Sequence, residues 1–322
     1  MEGAVKVAVL KGGSSLERQV SLRSGGRVEE AIERLGHEPL AIDVGPDLIE
    51  RLRTGAPDVA FLALHGRNGE DGTVQELLEI VGIPYTGSGV LACIRCMDKV
   101  LAKHLLIEAG VPTPEFFAFS ELAFRELGAA EALPQIEERL TFPIVVKPAA
   151  QGSALGIKFA RTPDDVPAAL VNAFSYDDKV LLERHVDGRE LAVSMIERGG
   201  EPVALPIVEA LPRDEDFFDF ESRYEIGRTE YRCPPHLSNE ETAAVEEAAC
   251  ATWKVLGCRG FARADIMLPE GGGPQVLEVN VTPGLTETSL LPMACEAAGI
   301  GFDQFVERAL ELALDRISAS TA

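Results

Sequence analysis

A chain of 322 residues is too long for one simple core and suits two or three packed units with ample apolar area to bury. With 46% apolar and 25% charged residues, and no apolar run approaching about 18 residues, it is neither a disordered chain nor a membrane-spanning one. The net charge of −22 would repel nucleic acid and anionic membrane, so neither partner is expected, and an anionic substrate would need locally clustered cations.

The opening MEGAVKVAVLKGG enters a strand-like run without the basic start, long apolar stretch and cleavage site of a secretory signal, so a cytoplasmic location is expected. Val5 to Leu10 reads as a short buried strand. After Gly12-Gly13-Ser14-Ser15, the apolar positions Val28, Ala31, Ile32 and Leu35 fall at helical spacing and stop at Gly36. Leu40 to Val44 and Val59 to Leu64 are further strand-like runs. Val74, Leu77, Leu78 and Val81 repeat the helical spacing behind a Thr73-x-x-Glu76 capping box and end at Gly82. Alternating strands and helices imply a parallel sheet with helices on its faces, a first unit ending near residue 95.

A helix from about Asp98 to Ala109 leads to Val111-Pro-Thr-Pro, a breaker cluster that connects units. FPIVVKPA and LGIKFA then flank a Gly-containing loop as in a hairpin, and a helix follows with Thr162 as cap and Pro163 at its first position. KVLLERHV, RELAVSMIE and EPVALPIVEA, joined by short turns, suggest an antiparallel meander. Arg213 to Pro235 has no clean period and reads as a long surface loop, a candidate lid. A capped helix, Ser238-x-x-Glu241, runs to Leu256. Strands over 260–268 and 274–280 meet across Glu270-Gly-Gly-Gly-Pro, and two helices close the chain. The six cysteines are irregularly spaced and are expected as thiols, with Cys93-x-x-Cys96 packing in a core rather than binding metal.

Strand side chains alternate faces, so Arg263 shares a face with Asp265, and Glu278 with Asn280. Two carboxylates and an amide oxygen, with no His or Cys beside them, are hard ligands suited to Mg²⁺. A solvated strand end or an Arg–Asp ion pair would use the same residues. Lys147 ends a strongly apolar strand, where a lone ammonium needs an anion such as phosphate. The loop Gln151 to Gly156 could cover phosphates with backbone N–H groups, although it lacks the P-loop pattern. Gly12-Gly13-Ser14-Ser15 does not fit G-x-G-x-x-G, which counts against a nicotinamide or flavin enzyme.

Taken in order, GGSSLERQVSLRSG, LHGRNGEDGTVQ, YTGSG, MDK, VVKPAAQGSALGI, FFDFESRY, GFARADIML and LEVNVTPGLTETSLLP resemble the D-alanine–D-alanine ligases of the ATP-grasp superfamily over nearly the whole chain. The resemblance implies an α/β ATP-grasp fold with an N-terminal Rossmann-like parallel-sheet unit (1–96), a small central α+β unit (97–183) and a C-terminal antiparallel-sheet α+β unit (184–322). It implies an ATP-dependent, ADP-forming ligase that joins two D-alanines through an acyl phosphate for peptidoglycan precursors. It also implies a cytoplasmic homodimer. Lys99 and Lys147 would contact the ATP phosphates, with Arg223 in the lid and Ser153 in the covering loop. Glu183 would hold the adenine amino group, Val186 the base and Glu190 the ribose. Asp265, Glu278 and Asn280 would bind two Mg²⁺ ions, with Mn²⁺ as a substitute. Arg263 and the Gly284 N–H would stabilise the oxyanion. Glu17 would hold the first D-alanine with His65 nearby, Ser289 and Leu290 the second, and Ser153 and Tyr224 would join Glu17 in a hydrogen-bond network. The chain departs from the common pattern in FFDFESRY, where relatives carry YDYxxKY, and in Gln151 and Gln19, where many carry Glu. A ligase for another acceptor, D-lactate or D-serine, and a nucleotide-binding regulator without turnover stand as alternatives.

Overall fold

The computed structural model describes residues 3–212 and 229–320. Its first part runs β1 (Lys6–Lys11), α1 (Arg18–Arg34), β2 (Glu38–Asp43), α2 (Leu48–Gly55), β3 (Val59–Leu62) and α3 (Thr73–Val81). β1 lies between β2 and β3 and pairs with both in parallel. Val7 to Leu10 are fully buried, the unbroken apolar run of a strand covered on both faces. The expected capping box at Thr73 does not form. Gly72 takes the N-cap with left-handed backbone, and the Thr73 N–H donates instead to Asp71 Oδ1 at 3.0 Å. The acid two residues upstream reaches that N–H without the extended cap backbone that a Thr-x-x-Glu box needs.

Two further helices escape the sequence pattern. α2 carries three charges in eight residues, and α4 (Val90–Met97) buries Cys93 and Cys96 rather than larger apolar side chains. The Cys96 Sγ lies 3.7 Å from the Cys258 Sγ, and all six cysteines are free thiols. α5 (Lys99–Glu108) starts at once, because Asp98 caps it by accepting from the Val100 and Leu101 N–H groups at 2.9 and 3.1 Å.

The middle part comprises β4 (Phe116–Ser120), α6 (Glu121–Glu126), α7 (Leu133–Leu140), β5 (Ile144–Pro148), β6 (Lys158–Ala160), α8 (Val166–Phe174) and β7 (Lys179–Arg184). The sheet order is β4-β7-β5-β6, with β5 and β6 antiparallel as the hairpin reading requires. Thr162 and Pro163 begin a 3₁₀ turn, Pro163–Asp165, rather than α8 itself. The last part comprises β8 (Arg189–Arg198), β9 (Glu201–Ala204), β10 (Val208–Pro212), β11 (Thr229–Arg232), α9 (Asn239–Leu256), β12 (Phe261–Leu268), β13 (Gln275–Asn280), α10 (Leu290–Ala297) and α11 (Phe302–Ser320). Its sheet is ordered β11-β10-β8-β12-β13, with β9 on β8.

The meander expectation therefore fails at its first step: β7 pairs with β4 and β5 and not with β8. Both edges of β7 are occupied, so the short connector 185–188 carries the chain from one sheet into the other. The expected long loop also shortens, since Thr229–Arg232 pairs antiparallel with β10, while 213–228 lies outside the described residues. The Ser238 capping box does form: Ser238 Oγ accepts from the Glu241 N–H at 3.1 Å, and Glu241 Oε2 accepts from the Ser238 N–H at 2.7 Å.

One apolar cluster joins the first and last parts. Phe261 on β12 stacks on Phe61 of β3 at 6.5 Å and meets Phe305 of α11 edge-on at 5.2 Å. Replacing Phe261 with Ala should cost about 3–5 kcal/mol and lower the thermal midpoint by several degrees. A midpoint within a degree of wild type would show that this contact does not hold the two sheets together.

Candidate active site

The β12–β13 pair presents the four residues that share faces in the sequence. Arg263 lies opposite Asn280 and Asp265 opposite Glu278, just before a bulge that shifts the register. The Arg263 guanidinium grips Asp265 with Nε–Oδ1 at 2.6 Å and Nη2–Oδ2 at 2.8 Å, and Asn280 Nδ2 donates to Asp265 Oδ2 at 3.3 Å. Lys99, the first residue of α5, points its ammonium at Glu278 Oε2, 3.1 Å away, and donates to the Gln151 carbonyl at 2.5 Å. The ion pair and the oxygen cluster are thus one arrangement.

Asn280 also lines a neighbouring cavity that contains Glu17, His65, Glu70, Ser153, Tyr231, Arg263, Gly284, Ser289 and Leu290. Glu17 stands at the N-cap of α1, where its carboxylate accepts a hydrogen bond from the Ser153 hydroxyl. A Cβ on Gly152 would collide with that carboxylate, so glycine lets the 151–156 loop close over it. At the other wall a Cβ on Gly284 would lie 2.7 Å from the Ser289 Oγ. Ser289 Oγ accepts from the Thr286 N–H at 3.1 Å and fixes the turn that carries Gly284.

His65 ties this turn to the first sheet. Its Nδ1 lies 2.9 Å from the Thr282 carbonyl, which can only accept, so Nδ1 carries the proton. Nε2 then accepts from the Ser24 hydroxyl at 2.9 Å, and Ser24 Oγ accepts from the Leu285 N–H at 3.1 Å. Burial lowers the His65 pKa to about 4 against the Thr282 hydrogen bond, which raises it, and Arg263 lowers it further. Glu70 clamps the same loop, taking the Gly66 N–H at 2.6 Å and the Thr282 N–H at 3.2 Å. Burial, then the nearby Glu17 charge, pushes Glu70 up to about 8.

A second cluster lies in the middle sheet. Lys147 on β5 and Lys103 on α5 hold the two oxygens of Glu183 on β7, at 2.6 Å to Oε1 and 2.7 Å to Oε2. Burial opposes ionisation of Glu183, and the two lysines outweigh it, so its pKa is lowered. Lys103 falls to about 8 through burial, with Glu183 opposing. The buried partner of Lys147 here is thus Glu183. Val186 and Glu190 sit where the chain passes from β7 to β8 and are not among the residues lining the Glu17 cavity. Arg223 and Tyr224 lie outside the described residues.

Sequence reasoning singled out neither Glu70, Lys103, Ser24 nor Thr282. Glu70 and Thr282 lie inside quoted motifs, and Lys103 follows MDK by four positions on the buried face of α5. Among the described residues no group of three or more His, Cys, Asp or Glu could hold a metal ion. No helix among them is long and apolar enough to cross a membrane.

The neutral His65 yields a pH prediction. Unfolded, it binds a proton near pH 6.5; folded, only near 4, so the unfolded state holds more protons between these values and the His65 contribution weakens as pH falls. Relative to wild type, His65→Gln should therefore gain roughly 3 kcal/mol between pH 6.5 and 4, at about 1.4 kcal/mol per unit. Denaturant titrations of both proteins across this range read the difference directly, and a constant gap would contradict a neutral His65.

Family models described as D-ala D-ala ligase N-terminus and C-terminus match residues 49–88 and 105–311 in that order. The chain is 41% identical over 311 residues to the D-alanine–D-alanine ligase of Moorella thermoacetica, covering 97% of this chain and 100% of that one. It is 44% identical over 305 residues to that of Syntrophotalea carbinolica, covering 95% of each. A crystal structure of D-alanine–D-alanine ligase from Bacillus anthracis complexed with ATP matches at TM-score 0.82 and 33% identity, across 99% of this chain and 100% of that one. A likeness of this extent, on a parallel sheet followed by two antiparallel ones, identifies the ATP-grasp fold, and the chain belongs to the D-alanine–D-alanine ligase family of ligases.

Proposed function

We propose that this chain joins two D-alanines into D-alanyl-D-alanine for peptidoglycan precursors, with ATP as the phosphoryl donor. The observation that carries the reading is the cross-strand register that sets Arg263 against Asn280 and Asp265 against Glu278, beside a cavity walled by Glu17 and Gly284. In this proposal the working units are 1–96, 97–183 and 184–322.

In this reading Lys99 and Lys147 draw the triphosphate in, Ser153 and its loop cover it, and Glu183 accepts a hydrogen bond from the adenine amino group. Val186 lines the base pocket and Glu190 takes the ribose. Glu17 holds the ammonium of the first D-alanine, whose carboxylate receives the γ-phosphoryl group to give an acyl phosphate and ADP. The deprotonated amine of the second D-alanine, seated by Ser289 and Leu290, attacks that carbonyl, the C–N bond forms and phosphate leaves. Arg263 and the Gly284 N–H stabilise the oxyanion, with His65 and Glu70 fixing the turn on which Gly284 sits.

Asp265, Glu278 and Asn280 fit Mg²⁺. Asn280 uses its amide nitrogen on Asp265, which leaves a carbonyl oxygen beside two carboxylates already balanced by Arg263 and Lys99. Two such ions, or Mn²⁺ in their place, would supply charge neutralisation at the phosphates. A cytoplasmic homodimer completes the proposal. The exposed apolar side chains of Ile80 on α3 and of Leu91 and Ile94 on α4 offer it contact area.

Incubation with ATP, Mg²⁺ and D-alanine should release phosphate and give a dipeptide by mass. Glu278→Gln should cut kcat by roughly 100-fold or more, because a metal ligand is weakened while its shape is kept, and should also lower the thermal midpoint, because Lys99 loses its counter-charge. Phosphate release without dipeptide, or an undiminished kcat at saturating Mg²⁺, would refute the assignment.

A further inference from the structure

Lys103 is fully buried in the middle of α5, yet carries a charge. Its ammonium donates to the Thr113 hydroxyl and to the Pro114 carbonyl at 3.2 Å, and forms an ion pair with Glu183 Oε2 at 2.7 Å. Enclosed by these three oxygens and 0% exposed, it is out of reach of a ligand. It also sits 5.2 Å from the centre of the Phe116 ring, which walls it off further. Lys147 differs. Its hydrogen bond among the described residues goes to Glu183 Oε1, and its remaining protons are available to an incoming anion.

The two lysines therefore have different fates when an anion arrives. Lys147 can turn from Glu183 to phosphate, which bares Oε1; Lys103 must remain on Oε2. We propose that Lys103 is a positioning residue that holds Glu183 ionised and in place, so that its bared oxygen admits a nucleobase presenting an amino donor and rejects one presenting a carbonyl. The inference rests on the reading of Glu183 as the base contact. An ionised carboxylate only accepts, so the amino group of adenine is matched and the carbonyl of guanine faces like partial charge. Without Lys103, burial favours protonation of Glu183, and a carboxylic acid can donate to that carbonyl.

The test compares ATP with GTP in the full-length enzyme. Lys103→Met, close to Lys in length, should raise KM for the nucleotide at least tenfold and lower the ATP/GTP ratio of kcat/KM at least tenfold, with KM for D-alanine unchanged. Lys103→Arg keeps the charge and should restore most of the ratio, even if it folds less stably. In a Glu183→Gln background, Lys103→Met should leave the ratio unaltered, because the group it acts through has gone. Equal losses with both nucleotides, or a matching rise in KM for D-alanine, would overturn the role of Lys103. An unchanged ratio in Glu183→Gln alone would instead remove Glu183 from the base site, a separate failure.

Discussion

Taking an ammonium or a carboxylate out of water costs several kcal/mol unless an opposite charge meets it, and the ionised groups of this site are almost all inside. Lys99 is 6% exposed, Lys147 4%, Glu183 2%, Arg263 8% and Asp265 4%. Each is met by a partner of opposite sign, across a sheet for Lys147, between a helix and a strand for Lys99, and two residues along the same strand for Arg263 and Asp265. This constraint decides the local architecture. β12 and β13 must pair in the one register that sets Arg263 against Asn280 and Asp265 against Glu278, and α5 must dock where Lys99 reaches Glu278 while Lys103 reaches Glu183. In a chain of net charge −22 these lysines are neutralised by carboxylate partners, the state from which the proposed phosphate contacts would have to draw them.

The second requirement is assembly, because no single sheet contains the site. Glu17 comes from the N-cap of α1, Ser153 from the β5–β6 loop, and Arg263 and Gly284 from the last sheet and the turn after it. Hydrogen bonds over long sequence distances align these parts. His65 to Thr282, Ser24 to Leu285 and Ser153 to Glu17 span between 136 and 261 residues. Arg27 adds another by donating to the Leu285 carbonyl at 2.7 Å. Buried polar bonds of this kind cost more to leave unmade than they contribute when made. They therefore enforce one relative placement of loops that apolar contacts alone would leave free to slide.

Much of this was legible in the sequence, and the reasons are local. Val7 to Leu10 could only be a covered strand, and Arg263, Asp265, Glu278 and Asn280 share faces because alternation is a property of any strand. The box at Ser238 formed, whereas that at Thr73 did not, since Asp71 offered the helix start a nearer acceptor. What the sequence could not show is which strands exchange partners. KVLLERHV and RELAVSMIE look like neighbours in a meander, yet the first is enclosed by β4 and β5, a choice made by packing far along the chain. Lys103 was hidden for a similar reason. On a helix face a lysine reads as solvated, and only the tertiary arrival of Glu183 and Thr113 makes it an interior counter-ion.

His65 and Glu70 show how two costly groups can share one loop. His65 is kept neutral by burial and Glu70 is kept protonated by burial and by Glu17, so each is held in the form that does not add charge to the cavity. On unfolding between about pH 4.5 and 6.5, the histidine takes up a proton and the glutamate releases one. The two changes nearly cancel, and the pair contributes little slope to stability there. Above pH 6.5 the glutamate acts alone, and stability falls as pH rises towards 8; below 4.5 the histidine acts alone, and stability falls as pH drops towards 4. The loop that carries Gly284 is therefore held by groups whose opposing titrations leave it least sensitive to pH in the window between them. The other carboxyl group lining the cavity is Glu17, the side chain proposed to meet an ammonium.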